Sequence, residues 1–374
     1  MSRTHRSTAA AITAALGLSM IVAGGLPATA APPSDAPPVT IATGLDNPRQ
    51  LTVGPGQSVY VAEAGSGADC VPIEGVSAEF EFCGATGAVT RLAGGAQERV
   101  VTGLPALAFN GEIMGTSDVG VRGGGISVLV GGMAGAATAR DMLGEEFAAF
   151  GTLQTGSLRA APLDLGDLTL AADINASEVT DNPDGNEPPD SNAVGLAMLA
   201  DGSWAISDAG GNALLTRGAM GDSTVAVFPN GAAVPNPFGP GEINPQAVPT
   251  DVVVGPDGAY YVSQLAGFPF PTGGSTIWRV TADGEVSAYA TGLTMVTSLA
   301  WRDDTLYAVQ LDDGNFFDGH VGSLREITPG GSEHAAVVDG LSAPYGVAIH
   351  GHSAYLSIDS ISTGGGSVVM VDLR

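Results

Sequence analysis

Lysine is absent from this chain, and its whole basic complement is thirteen arginines set against thirty-nine aspartates and glutamates, a formal charge of −26 over 374 residues. A surface so poor in positive charge repels phosphate backbones and anionic lipid headgroups, which argues against nucleic acid and membrane surfaces as partners. It favours solubility and can recruit divalent cations. Cysteine is nearly absent as well, at two residues. Two thiols with no histidine beside them do not make a thiolate metal site. Cys70 and Cys83 have no other possible partner, so in an oxidising compartment they are expected to pair and close one loop.

Long apolar runs are confined to the first thirty residues. There, Arg3 and Arg6 precede an apolar stretch from Ala9 to Leu26 and the small triplet Ala28, Thr29, Ala30. This is the pattern of a secretory signal peptide cleaved after Ala30. Residues 31–38, APPSDAPP, read as a Pro-rich linker, and 39–374 as one domain with no membrane span. The mature protein is therefore expected outside the cell, as a monomer.

What the sequence has in abundance is repetition. Six segments each read as two short apolar strands around a tight polar turn, beginning at Leu51, Val119, Leu196, Val252, Leu299 and Val347. Turns such as Pro256-Asp257-Gly258 supply the positive φ that a tight hairpin needs. A second hairpin follows in several units, as in STIWRVTADGEVSAYATGL from Ser275. Four strands in roughly 45 residues is the content of a propeller blade. The fold class is thus all-β, a six-bladed β-propeller. After the first hairpin of the last unit only one more strand remains, SVVMVDLR from Ser367, so the N-terminal TIATGLDNP from Thr40 is expected to supply the outermost strand of the sixth blade and close the ring.

Insertions fall in the long units. Blade one carries the Cys70 to Cys83 loop between its second and third strands, and blade two carries AGAATARDMLGEEFAAFG, with a short helix expected at its middle. The run DNPDGNEPPDSN from Asp181 is rich in oxygen ligands but lacks EF-hand spacing, and reads as a loop with Asn192 aimed inward.

The second strands end in Glu63, Gly131, Asp208, Gln264, Gln310 and Asp359, and the segments entering the first strands add Arg49, Ser117, Asp118, Asn192, Thr250 and Thr297. If these converge at the channel mouth they form a polar ligand site; Arg49, Glu63, Asp118, Asn192, Asp208, Gln264, Gln310 and Asp359 are the candidates. Carboxylates and amide oxygens suit a hard cation, with Glu63, Asn192, Asp208 and Asp359 as the candidate calcium ligands. The other reading is that polar residues at strand ends simply meet water. His320, in DDGNFFDGH, reads first as a solvated loop residue, with reach to the site as the alternative. Two apolar patches in loops of the same face, GFPFP from Gly267 and the pair Phe316 and Phe317, read as buried under neighbouring loops or, less commonly, as ligand contacts. No GxSxG nucleophile motif accompanies a base.

The stretches GLDNPRQLTVGPGQSVYVAEAG, Ser117 to Val119, DSNAVGL from Asp190, SDAGGNALL from Ser207 and VPTDVVVGPDGAYYVSQLAGFPFP from Val248 resemble the ScyD/ScyE family of secreted propellers, across nearly all of the chain after the linker. The resemblance implies a six-bladed TolB-like propeller, and this chain departs from the family pattern at Gln310 and Gly131. By architecture the chain is also similar to gluconolactonase/regucalcin-type propellers, which hold one calcium at the channel mouth with an inventory like Glu63, Asn192, Asp208 and Asp359. Three functions stay open: a binding or scaffold protein for a small molecule, peptide or cell-wall component, a calcium-dependent hydrolase such as a lactonase, or an accessory protein of a secondary-metabolite pathway.

Overall fold

A computed structural model describes residues 37–373, except 75, 77, 78, 133–136, 219, 220, 315, 317 and 318. The expected signal peptide, most of the linker and Phe317 lie outside the described residues. Six blade sheets follow one another along the chain, five of them of four antiparallel strands and the first of five, its outermost strand Leu163–Asp164 running parallel to Ala96–Leu104. The first two strands of each blade are joined by the tight turns read from the sequence: Pro48–Val53 with Val59–Glu63, Thr116–Arg122 with Gly125–Val130, Ala193–Met198 with Trp204–Asp208, Pro249–Val254 with Tyr260–Gln264, Val296–Arg302 with Thr305–Gln310, and Val347–His350 with Ser353–Ile358.

The sixth blade is completed as expected. Its third strand, Gly366–Asp372, pairs antiparallel with Val39–Leu45, setting Val39 opposite Met370 and Leu45 opposite Gly366. Each innermost strand touches that of the next blade, and Val347–His350 in turn touches Pro48–Val53. Sheet faces thus meet sheet faces all the way round, which is why Val59–Glu63 is buried at every position instead of alternating. Each pair of neighbouring blades encloses its own apolar core. Between blades two and three it holds Leu129, Leu153, Ile206 and Leu215, and across the closure it joins Ala42, Leu45 and Val368 to Leu51, Val61 and Leu92.

Polar residues entering the first strands cement blade to blade. Ser117 Oγ donates to Ala193 O at 3.0 Å, Thr250 Oγ1 to Val296 O at 2.7 Å and Thr297 Oγ1 to Tyr345 O at 2.6 Å. One residue further on, Asp118 accepts from Leu196 N at 2.7 Å and Asp251 from Leu299 N at 2.8 Å. Where the repeat has glycine, the chains are too close for a side chain: a Cβ on Gly195 would lie 2.5 Å from Asp251 Cα.

The insertions build the rim. Cys70 and Cys83 are disulfide-bonded. They tie together a small sheet of Val71–Pro72, Phe80–Phe82, Leu107–Phe109 and Glu112–Met114. The blade-two insertion contains the expected short helix, Arg140–Leu143, whose Arg140 makes a two-pronged contact with Asp173 at 2.6 and 2.9 Å. That anchors a second helix, Ile174–Asp181, immediately before the loop that runs to Asn192; it is capped by Asp173 accepting from Ala176 N. Among the described residues no helix is long and apolar enough to cross a membrane.

Candidate functional site

The inner strands line two cavities. One, of about 420 Å³, runs through the ring from Gln50, Asp118, Asp251 and Ser298 to Arg122, Met198, Val254 and Trp301. The other, of about 440 Å³, is built from the opposite, N-terminal ends of these strands and the rim loops. Between them lies the layer of Arg49 and Tyr345.

Arg49 is tied down in that layer. Its guanidinium donates to Ser360 O and Ile113 O, both at 2.6 Å, stands 3.9 Å from Glu112 and lies 4.9 Å from the centroid of the Tyr345 ring. That charge is already engaged by two carbonyls, a carboxylate and an aromatic face. Burial pushes the Tyr345 hydroxyl up to about 12, so it stays a neutral phenol.

The strand-end residues do not converge on the axis, which corrects the reading of one polar column. Glu63 is fully buried, accepting from Asp46 N at 2.8 Å and Thr90 Oγ1 at 2.5 Å and pairing with Arg99 at 2.7 Å. Asp208 accepts from Asn192 N, Ser191 Oγ, Gly210 N and Gly211 N. Gln310 accepts from Thr294 N, and Gln264 from the Trp278 indole. The shared role of Glu63, Asp208 and Gln310 is local. Each holds the turn that leads into its own blade, a backbone N–H that would otherwise be buried without a partner. Asp359 sits in a left-handed turn, its amide donating to Ser342 O. Among the described residues no group of three or more His, Cys, Asp or Glu side chains is placed to hold a metal ion, so the quartet Glu63, Asn192, Asp208 and Asp359 is not gathered into a calcium site.

Asp118 and Asp251 face each other's charge in the ring, not the mouth. Burial and Asp251 raise Asp118 well above the usual carboxylate range, and burial holds Asp251 at about 7. Their backbone partners keep both in the structural layer.

What the mouth cavity does collect is Asn192, Thr250, Glu112, Asn110, Tyr345 and His320, with apolar walls from Phe270, Phe316, Met295 and Leu311 among others. Asn192 accepts from Gly132 N through Oδ1, which leaves its amide nitrogen as the donor end. Phe270 and Phe316 pack at a tilt with centroids 4.4 Å apart, and Phe316 meets His320 edge-on at 4.8 Å. The sequence reading had placed both patches and His320 on this face. It missed Tyr345 and Glu112. Tyr345 occupies in the sixth repeat the place that Thr250 and Thr297 hold in the fourth and fifth, a correspondence that aligning the repeats reveals.

No known protein family matches the chain in sequence, and no curated protein does. Solved structures do match in shape. A glucose dehydrogenase, 13% identical, aligns over 91% of this chain and 100% of its own with a TM-score of 0.54. A streptogramin B lyase aligns over 90% and 87% at 12% identity and a TM-score of 0.46. Regucalcin, a calcium-binding protein from Agrobacterium tumefaciens, aligns over 91% and 95% at 11% identity and 0.48. The class that the likeness to the glucose dehydrogenase and the six blade sheets define is the β-propeller, and at such identity it defines the fold alone.

Proposed function

We propose that the protein is an exported binding propeller of the ScyD/ScyE type that takes a small, largely uncharged molecule in the mouth cavity. The observation that carries this reading is the cavity itself: about 440 Å³, walled by Phe270, Phe316, Met295 and Leu311, with few polar groups converging from separate blades. Pockets of this size and make-up are the usual form of small-molecule sites. The acidic surface disfavours anions, and Arg49 is already engaged, so the ligand is read as neutral or cationic and bears a carbonyl or hydroxyl for Asn192.

Export is supported by the leader-like first thirty residues and the disulfide. Family membership rests on the motifs quoted above. Against the calcium-dependent alternative weighs that, among the described residues, no three His, Cys, Asp or Glu side chains are placed to hold a metal ion.

The test is a thermal-shift screen of neutral small molecules against the secreted protein, with isothermal titration of hits. A hit should bind at least tenfold more weakly to Asn192→Ala and to Phe270→Ala. Equal affinity in both variants places the ligand elsewhere and defeats the reading.

A further inference from the structure

Behind the wall of this cavity two polar atoms face each other. Asp312 is 3% exposed; its Oδ1 accepts from Gly314 N at 2.7 Å, while Oδ2 has no hydrogen-bond partner among the described residues. His320 Nδ1 is buried, also without a hydrogen-bond partner among them, and lies 3.7 Å from that Oδ2. A buried carboxylate oxygen left unsatisfied is costly, so folds seldom retain one without use. Asp312 does not border the cavity, whereas His320 does. The carboxylate therefore stands behind the imidazole, and the imidazole stands in front of the ligand space.

We propose that His320, oriented by Asp312, is the general base of a hydrolytic site in the mouth cavity, acting on an uncharged carboxylic ester or lactone. The proposal rests on the cavity being a small-molecule site. A carboxylate facing Nδ1 fixes the proton on that nitrogen, which leaves the Nε2 lone pair to accept one. The gap of 3.7 Å is longer than a hydrogen bond, as is common before a ligand closes such a site.

The same cavity supplies what a carbonyl needs. Asn192 offers its amide nitrogen and Tyr345 a phenol kept neutral by burial, two uncharged donors for a developing oxyanion. Phe270 and Phe316, packed together at a tilt, put an apolar wall beside the base.

The step balances with water as the only co-reactant. Nε2 takes a proton from a water molecule as its oxygen bonds to the carbonyl carbon, and the carbonyl electron pair moves to oxygen. Collapse of the tetrahedral intermediate restores the carbonyl and breaks the bond to the leaving oxygen, which takes the proton back from Nε2. The products are a carboxylic acid and an alcohol.

The experiment uses the whole secreted chain, with 4-nitrophenyl esters of short neutral acids and the lactone dihydrocoumarin as probes, binding and turnover being measured separately. Turnover above the rate in buffer is expected. His320→Gln should lower kcat/KM about 100-fold, the scale of a lost general base. Asp312→Asn, a change in a positioning residue, should lower kcat while KM holds. Thermal unfolding of both variants checks that they are folded, and Phe270→Trp, which fills the cavity from a different blade, should abolish turnover without touching the pair. Probes that bind without turning over leave the binding reading intact and overturn this one. Turnover at the original rate in folded His320→Gln overturns it as well. Probes that do not bind at all count against the cavity reading itself.

Discussion

Glu178 offers the sharpest test of how this fold handles its excess of negative charge. It lies on the helix Ile174–Asp181, 3% exposed, with Oε1 lacking a hydrogen-bond partner among the described residues. Burial is the main cause, and the charges of Asp208, Asp184, Asp190 and Asp181 add to it; together they push the carboxyl from 4.5 up to about 8. In the unfolded chain the group ionises near 4.5, whereas in the folded protein it keeps its proton to about 8. The folded state therefore holds the extra proton across that window, and its stability falls as pH rises from 4.5 through 8. At about 1.4 kcal/mol per pH unit the ceiling is ~5 kcal/mol, which local relaxation and water entry should reduce to about 2. Asp251, held at about 7, and Asp208, at about 6, act in the same direction.

Glutamine has the shape of the protonated acid and no charge to bury. Glu178→Gln should match the original protein at pH 5 and exceed it by about 2 kcal/mol at pH 9, a few degrees in melting temperature. The assay is thermal unfolding of both proteins at pH 5, 7 and 9 in the presence of a chelator. If the glutamine protein were the less stable at pH 9, the native carboxylate would have to be ionised and paired, and the reasoning would fail.

A chain starting at Pro48 loses Val39–Leu45 and with it the buried Ala42 and Leu45; its whole ring should melt at a lower temperature, and an unchanged midpoint would refute closure by this strand. Replacing Cys70 and Cys83 with serine should cost about 3 kcal/mol by freeing the loop they close, read as a lower denaturation midpoint in urea. Gly195→Ala should cost at least 2 kcal/mol, because its Cβ would meet the Cα of Asp251 in the next blade; a neutral result in chemical denaturation would mean that the blades stand further apart.

The arrangement of blades was legible because it depends on local periodicity. Strand, turn and strand recur at each of the six starting positions, and the leftover strand at each end announces its partner. The insertions were legible in place, and in form for the Cys70–Cys83 loop and the helix Arg140–Leu143, but not for the helix that follows Asp173. Nothing in the sequence around Ile174 has a strong helical pattern, and what holds that helix is Arg140, reaching Asp173 from another loop.

The site was legible in part, for a physical reason that particular residues make clear. From sequence, Glu63 and Asp208 are the strongest candidates for chemistry, yet each is closed off by the amides and side chains of its own blade. A hydrophilic residue at a strand end looks the same whether it faces a ligand or caps a turn, because the difference lies in the partners that surrounding loops bring to it. The sequence alone determined the number and order of the blades and the strand that closes the ring. Only the tertiary structure decided that Arg49 is held fast, that Asp312 stands behind His320, and that Phe270 and Phe316 meet over one cavity, since these contacts join segments whose spacing along the chain carries no signal.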